Sequence, residues 1–314
     1  LGQSASTRPI PRHLAVADDL AMFQKLIAFA GDNAIQIDAA EGQRRLQADC
    51  PRLLQEGEAV VLAFHDRGGV GRDDSFFTTK RVLIRDVKGM TGKCVKYKSI
   101  PYRSIKAWSV ETAGAMDADS TLRLWSYGVG LTSIDFVAGQ VDVFNVMRHF
   151  NQMCLVDGSI GAEVAAGAQA TIPQPTPPGA LDKFLGYVGG DASQLSAAEV
   201  ERELKQELRL LMPDETVEMA FRSGRDSFVL TSKRILKVDV KGMTGRKVEY
   251  LSVLWRQVRM FSVETAGMFD TDAELILFTD IPAMSRIVQD LRKGKADVMA
   301  IQKFFADKLL GMDT

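Results

Sequence analysis

The stretch DVKGMTGKCVKY at residues 86–97 returns as DVKGMTGRKVEY at residues 239–250, 153 positions later. At this offset, residues 86–124 align with residues 239–277 without a gap, and about half of the positions are identical. A repeat of this length is typical of a duplicated domain, because solenoid repeats are several times shorter. The sequence therefore predicts two copies of one folding unit.

The repeated phrase predicts a turn and not a binding loop. A strand-like segment rich in β-branched and aromatic residues precedes it in both copies, and another strand-like segment follows it. Glycine is favoured where the backbone takes a positive φ, so a hairpin explains the glycines on steric grounds. A phosphate-binding loop would instead lead into a helix. The glycines assigned to these turns are Gly89, Gly92, Gly242 and Gly245.

Each copy begins with a helix-favouring, charged segment and ends with an amphipathic helix. In the closing segment of the second copy, hydrophobic side chains recur every three or four residues, at Val298, Ile301, Phe305 and Leu309. About seven short strand-like segments lie between the two helical parts. The predicted fold class is α+β, with a bent antiparallel sheet and a capping C-terminal helix in each copy.

The two copies are joined by a segment rich in alanine, glycine and proline, which includes PQPTPP at residues 173–178. Such a linker is extended and semi-rigid, so we expect two separately packed units that it spaces apart. The predicted divisions are an N-terminal tail at residues 1–16, a first domain at 17–157, the linker at 158–179 and a second domain at 180–314.

The ordered set of motifs resembles the bacterial pleckstrin-homology (PH) family. The resemblance rests on LTSKRILKVDVKGMTGRKVEYLSV at residues 230–253, FSVETAGMFDTDAELILF at 261–278 and GKADVMAIQKFFADKLL at 294–310, with FTTKRVLIRDVKGMTGKCVKYKSIPYRSI at 77–105 in the first copy. It implies two PH-like bent β-barrels, each with a helical segment before it and a C-terminal helix that plugs it. It also implies no catalytic residues, and it makes self-association a possible property of the chain.

The residues themselves give no sign of an active site or a metal centre. The three cysteines lack zinc-site spacing, and the three histidines are not repeated between the copies. We therefore expect no catalytic residue, no metal, no cofactor and no enzymatic activity. Free thiols favour an intracellular, reducing compartment.

Charge gives little guidance, since the net charge is −1. Two arginines in the loop HDRGGVGRDD, Arg67 and Arg72, are candidates for an anionic ligand, although three aspartates lie beside them. No basic stripe is interleaved with aromatic residues, so we expect no nucleic-acid partner.

The differences between the copies suggest protein-binding surfaces. The second copy is more apolar at six positions, where the side chains either form a partner surface or fill a differently packed core. The first copy instead offers cations for an acidic partner. The candidates are Leu251, Leu254, Trp255, Met260, Met268 and Phe269 in the second copy, and Lys96, Lys98, Arg103 and Lys106 in the first.

The functional expectation is a non-enzymatic tandem adaptor that joins protein partners within a larger assembly. The alternative is a peripheral membrane module that binds anionic lipid headgroups through basic strand and loop residues. The segment LGQSASTRPIPRHLAV suggests either a processed targeting peptide or a trimmed terminus. If it is processed, a plastid or another organelle becomes a candidate location, and a light-harvesting antenna linker would be one speculative example.

Overall fold

The computed structural model describes most of both copies, which we call repeat 1 and repeat 2. The described residues are 33–67, 73–88, 94–114, 119–156, 194–242, 247–265, 272–292 and 296–311. The predicted tail and the linker lie outside them, as do Met268, Phe269 and Arg72.

Repeat 1 consists of eight strands and two helices in its described part. A short strand and an 11-residue helix come first, and Asp38 caps that helix by accepting a hydrogen bond from the Glu41 backbone N–H. The strands are β1 (Ala34–Ile37), β2 (Val60–Asp66), β3 (Asp74–Thr78), β4 (Arg81–Lys88), β5 (Cys94–Pro101), β6 (Ile105–Glu111), β7 (Asp119–Ser126) and β8 (Gly130–Val137); the helices are α1 (Ala39–Asp49) and α2 (Val143–Leu155).

Repeat 2 follows the same order, but the position of β1 is taken by an isolated antiparallel bridge of Gln194 to Phe221, which matches the pair of Gln36 and Phe64 in repeat 1. Its first helix has only six residues and continues as a π-helical turn over Glu203–Glu207. The elements are α3 (Ala197–Arg202), β9 (Val217–Ser223), β10 (Asp226–Thr231), β11 (Arg234–Lys241), β12 (Lys247–Leu254), β13 (Val258–Glu264), β14 (Asp272–Thr279), β15 (Arg286–Arg292) and α4 (Val298–Leu310).

The strands around the repeated phrase pair as a hairpin in both repeats. Lys88 on β4 lies opposite Cys94 on β5, and Lys241 on β11 lies opposite Lys247 on β12. Gly242 has a φ of 73°, in the region that favours glycine. The other three turn glycines lie outside the described residues.

Most of the strands form one sheet that runs through both repeats. The 12-stranded sheet has the order β5-β4-β3-β2-β1-β8-β7-β6-β12-β11-β10-β9, and the remaining strands form a three-stranded sheet in the order β13-β14-β15. Two contacts make the large sheet continuous: β1 bridges β2 and β8 within repeat 1, and β6 of repeat 1 pairs with β12 of repeat 2.

The hydrophobic core also spans the two repeats. One cluster joins side chains of α2 and the strands of repeat 1, such as Trp108 and Phe150, to Leu204 and Tyr250 of repeat 2. A second cluster joins Ala107 and Trp125 to the core under α4.

The α+β class and the closing helices are therefore confirmed, but three finer expectations are corrected. The strands described here form no closed barrel, because the large sheet opens into the neighbouring repeat. The helical opening segment is regular only in repeat 1. The two units are not separately packed, because strand pairing and a shared core join them.

Candidate functional site

The junction between β6 and β12 is the best-defined contact surface in the molecule. Five antiparallel pairs run from Ala107 opposite Val253 to Glu111 opposite Glu249. Thr112 extends the ladder, since its backbone N–H donates to the carbonyl of Val248 at 2.8 Å and its Oγ1 accepts from the Val248 N–H at 2.9 Å. This part of the shared motif SVETAG is therefore a docking strand.

Helix α2 of repeat 1 covers the junction on one face. The ring of Phe144 lies edge-on to the ring of Tyr250, with their centroids 5.6 Å apart. Further along the helix, the amide of Asn151 donates to the carbonyl of Leu210 at 2.7 Å and accepts a hydrogen bond from Arg234. The helix that closes repeat 1 is thus also part of the packing of repeat 2.

A group of charged side chains neutralises two glutamates that face each other across the junction. Lys241 bonds both Glu111 at 2.7 Å and Glu249 at 2.5 Å, while Lys247 bonds Glu111 at 2.8 Å. Arg123 lies 3.4 Å from each glutamate. Burial alone would raise the pKa of Glu111, but the hydrogen bonds from Lys241 and Lys247 outweigh it and lower that pKa to about 2.

Both repeats contain the same arginine–glutamate cluster, but only that of repeat 2 is sealed. In repeat 1, Arg81 bonds Glu58 at 2.9 Å, Ser99 at 2.9 Å and the Leu53 carbonyl at 2.6 Å. In repeat 2, Arg234 makes the corresponding bonds to Glu215 at 2.9 Å, Ser252 at 2.9 Å and the Leu210 carbonyl at 2.6 Å.

Repeat 1 provides the seal over this second cluster. Asn151 bonds the guanidinium of Arg234, and the ring of Trp108 lies 5.9 Å from it. The side chain of Arg234 is consequently 0% exposed, whereas that of Arg81 is 17% exposed.

The counterparts of the two junction strands lie at the ends of the sheets. β5, the counterpart of β12, terminates the large sheet, and β13, the counterpart of β6, terminates the small one. Neither has a strand on its outer side among the described residues. Beside β13, helix α4 buries only Ile301 and Phe305, while Met299 and Leu310 are exposed.

The sequence-predicted interface residues of repeat 2 fall into two groups. Leu254 and Trp255 are buried in the core, where the indole N–H of Trp255 donates to the Thr231 carbonyl at 2.8 Å. Their assignment to a partner surface is therefore corrected, because they are not accessible. Met260 is exposed on β13, and Leu251 is half-buried opposite Ser109 in the junction.

The predicted cations of repeat 1 do not form one patch for an acidic partner. Lys96 and Arg103 are exposed. Lys98 donates to Thr132 Oγ1 at 2.6 Å, and Lys106 bonds Asp280 of repeat 2 at 3.0 Å. Arg67 is exposed, and its intended companion Arg72 lies outside the described residues.

His149 and Cys154 are buried titratable side chains on α2. His149 lies 2.6 Å from the hydroxyl of Tyr102, and burial lowers its pKa to about 3. Burial also raises the pKa of the Cys154 thiol to about 12. No group of three or more metal-ligating side chains occurs among the residues described, and none of the described helices is long and apolar enough to cross a membrane.

A cleft of about 490 Å³ lies between the end of α2 and repeat 2, with Leu155, Trp255 and Arg256 among its lining residues. Its two lysines are already paired, Lys233 with Asp214 at 2.6 Å and Lys308 with Glu218 at 2.8 Å. Its charges therefore belong to local ion pairs and do not converge on the cavity.

Sequence reasoning missed the junction. The identity of SVETAG in both repeats is the available signal, but identity between copies does not distinguish a docking strand from a segment that the fold requires. The sequence does not show which strand lies beside each copy of the motif. β6 in repeat 1 is paired with β12, whereas its counterpart β13 in repeat 2 lies at a sheet edge.

Comparison with known proteins agrees with the duplication. The sequence model of a family described as Bacterial PH domain matches residues 30–154 and again residues 185–309. The chain is 42% identical over 123 residues to the protein YjqA of Bacillus subtilis, covering 39% of this chain and 95% of YjqA. It is 33% identical over 70 residues to YozO of the same bacterium, covering 22% of this chain and 60% of YozO.

Solved structures of single domains are also similar. A crystal structure of a protein with a pleckstrin-homology domain from Shewanella loihica is 39% identical, covers 38% of this chain and 99% of that one, and gives a TM-score of 0.34. A pleckstrin-homology domain from Shewanella amazonensis is 39% identical, with coverages of 41% and 99% and a TM-score of 0.32. YjqA and YozO are bacterial proteins, and the plastid and light-harvesting setting stays a prediction.

Proposed function

This chain belongs to the bacterial PH domain family through both of its repeats, and we propose that it is a non-enzymatic assembly module that associates head to tail with further copies of itself. The β13 edge of one chain and the outer face of its helix α4 bind the β5 edge of the next chain. The sequence predicts an adaptor that binds protein partners, and we identify that partner as a second copy of this chain.

One observation carries this proposal: the chain already makes the contact once, within itself. β6 docks on β12, while their counterparts β13 and β5 end the two sheets. An open strand edge presents unpaired backbone N–H and C=O groups, which are satisfied when another strand is added. The contact that joins repeat 1 to repeat 2 can therefore be repeated between repeat 2 and the next repeat 1.

The register of the junction can be transferred residue by residue at the offset of 153. It places Val263 opposite Tyr97 and Glu264 opposite Lys96, where the internal junction has Val110 opposite Tyr250 and Glu111 opposite Glu249. The two glutamates of the internal junction need Lys241, Lys247 and Arg123 to neutralise them. The transferred pair is complementary in charge by itself, and an opposite-charge cross-strand pair is favourable.

The helices support the same arrangement. Aligned from the glycines at positions 139 and 294, Phe144 of α2 corresponds to Met299 of α4, which is 71% exposed. Phe144 packs on Tyr250, and the counterpart of Tyr250 is the half-buried Tyr97. Head-to-tail docking would bring Met299 of one chain onto Tyr97 of the next, and would cover apolar surface that a lone chain leaves in water.

The β13 edge of one chain binds the β5 edge of the next, so the two contacting surfaces differ. A pair of chains joined in this way still has one unoccupied β5 edge and one unoccupied β13 edge. Such heterologous contacts form a ring when the rotation closes and a filament when it does not. Wild-type protein is thus expected to give species larger than a monomer, with a mass that rises with concentration.

The test is a charge exchange at Glu264 and Lys96, followed by light scattering after size-exclusion chromatography. We expect Glu264→Lys alone and Lys96→Glu alone to weaken association about threefold to tenfold, and the double variant to recover most of it. Asp135→Lys is the matched control, because Asp135 is exposed on β8 and lies on neither edge. A wild-type chain that stays monomeric up to its solubility limit, or a double variant no better than the singles, would contradict the proposal.

A further inference from the structure

The hairpin between β7 and β8 exposes hydrophobic side chains at its tip. Tyr127 is 76% exposed, Val129 46% and Leu131 48%. Six large hydrophobic side chains are exposed in the part of the chain that the structure describes, and these are three of them. Gly128 and Gly130 have φ values of 74° and 76°, and a Cβ at either position would meet nothing within 4 Å, so the turn stands clear of its surroundings.

The fold does not require this exposure. At the offset of 153, Tyr127 corresponds to Asp280 in the matching hairpin of repeat 2. There the next residue, Ile281, is buried, and Asp280 forms ion pairs with Lys106 and Arg259. Repeat 2 thus places an ion-paired aspartate at this position and buries the hydrophobic residue that follows it, whereas repeat 1 leaves its hydrophobic side chains in water without a packing reason.

Three basic side chains lie on one side of the tip. The Nζ of Lys106 lies 5.6 Å from the centre of the Tyr127 ring, and the Tyr127 N–H donates to the carbonyl of Ser104, next to the exposed Arg103. Arg259, whose side chain is 60% exposed, pairs with Asp280 at 2.8 Å, and Lys106 pairs with the same aspartate but is only 12% exposed. Arg103 and Arg259 are therefore the exposed cations of this contact set, which holds three basic side chains and one acidic side chain.

We infer that this hairpin tip inserts into the interface of an anionic lipid bilayer. A tyrosine with two aliphatic side chains on a projecting turn suits the boundary between headgroups and acyl chains, where the phenol hydroxyl stays hydrated. The exposed Arg103 and Arg259 are attracted by anionic headgroups. This site differs from the loop at residues 65–74 that carries Arg67 and Arg72, and it does not depend on head-to-tail association.

The first experiment is co-sedimentation with phosphatidylcholine vesicles that contain or lack phosphatidylserine. Wild type is expected to bind the anionic vesicles, and Tyr127→Ser/Val129→Ser/Leu131→Ser is expected to lower the partition coefficient at least about tenfold. Arg103→Glu should weaken binding to anionic vesicles severalfold, whereas Arg44→Glu, on the exposed side of α1, is the matched charge control and should have little effect.

A fluorescence measurement makes the result independent of the folding of the triple variant. All three native tryptophans, Trp108, Trp125 and Trp255, are buried, so Tyr127→Trp adds one exposed reporter. Its emission should shift to the blue when anionic vesicles are added. Absence of both sedimentation and the blue shift would overturn the inference. It would also be overturned if the triple variant lost self-association with vesicle binding unchanged, since the tip would then be a contact between copies.

Discussion

Repeat 1 and repeat 2 share about half of their residues in the strand region, yet they differ most in what lies beside them. The outer edge of β6 is covered by β12, and the identical SVETAG segment on β13 begins at the free edge of a sheet. Similarly, α2 is buried on nearly every side, while α4 buries only two residues. Two copies of one sequence motif can therefore play different parts, because burial is decided by the neighbour and not by the motif.

The largest difference that this comparison predicts is at the buried arginines. Arg234→Met should destabilise the chain by about 3–5 kcal/mol, because Glu215, which is fully buried, would lose its charge partner. Arg81→Met should cost less, because Arg81 is 17% exposed and its removal lets water reach Glu58, although the side chain of Glu58 is itself 0% exposed. Urea unfolding of both variants measures the difference, with wild type as the reference.

Equal losses in the two variants would show that the cover provided by Asn151 and Trp108 has no energetic consequence. A more specific control is Asn151→Ala, which removes the Asn151 part of that cover while keeping the ion pair itself. It should bring the cost of Arg234→Met closer to that of Arg81→Met.

A smaller effect is expected from the glutamates that end the two equivalent strands. The pKa of Glu111 is lowered from 4.5 to about 2, so the folded chain holds this proton more weakly than the unfolded chain does. The stabilisation is therefore complete above about pH 4.5 and is lost as the pH falls toward 2. In urea titrations across that window, Glu111→Gln should lose less stability on acidification than wild type.

At a protein concentration low enough to keep the chain monomeric, Glu264→Gln is the matched control, because Glu264 occupies the same position on β13 and is exposed. It should keep the acid dependence of wild type. If Glu111→Gln follows the wild-type curve instead, the ion group at the junction does not contribute to stability.

The sequence was sufficient for the parts of the fold that are local. Strand segments, the glycine turns and the closing helices follow from periodicity and turn chemistry, and the duplication follows from the repeated text. β1 was missed because its four residues, AIQI, pair with β2 and with β8, which lie more than 20 and more than 90 residues further along the chain.

The candidate site could be predicted only in part. The sequence predicts both Met260 and Lys96 as interface residues, and both are exposed. Met260 lies on the edge strand β13, and Lys96 lies on the edge strand β5. Leu254 and Trp255 were named by the same reasoning and are buried. Alternation along a strand cannot tell these cases apart, because it does not say which face meets another repeat. The exposed tip at Tyr127 was also missed, since a turn containing two glycines gives no signal of burial.

The smallest expected effect is a gain in association, from a substitution that makes α4 more like α2. Met299→Phe would give the helix the ring that Phe144 supplies at the internal junction, and would set it against Tyr97 of the next chain. An aromatic pair contributes about 0.5–1.5 kcal/mol beyond its area, so self-association should become about 2–10 times tighter. Sedimentation equilibrium measures this, and Tyr97→Leu in the same chain should remove the gain because the partner ring is lost. A gain that survives Tyr97→Leu would mean that the new phenylalanine binds elsewhere, and that the internal junction is not the pattern for contacts between chains.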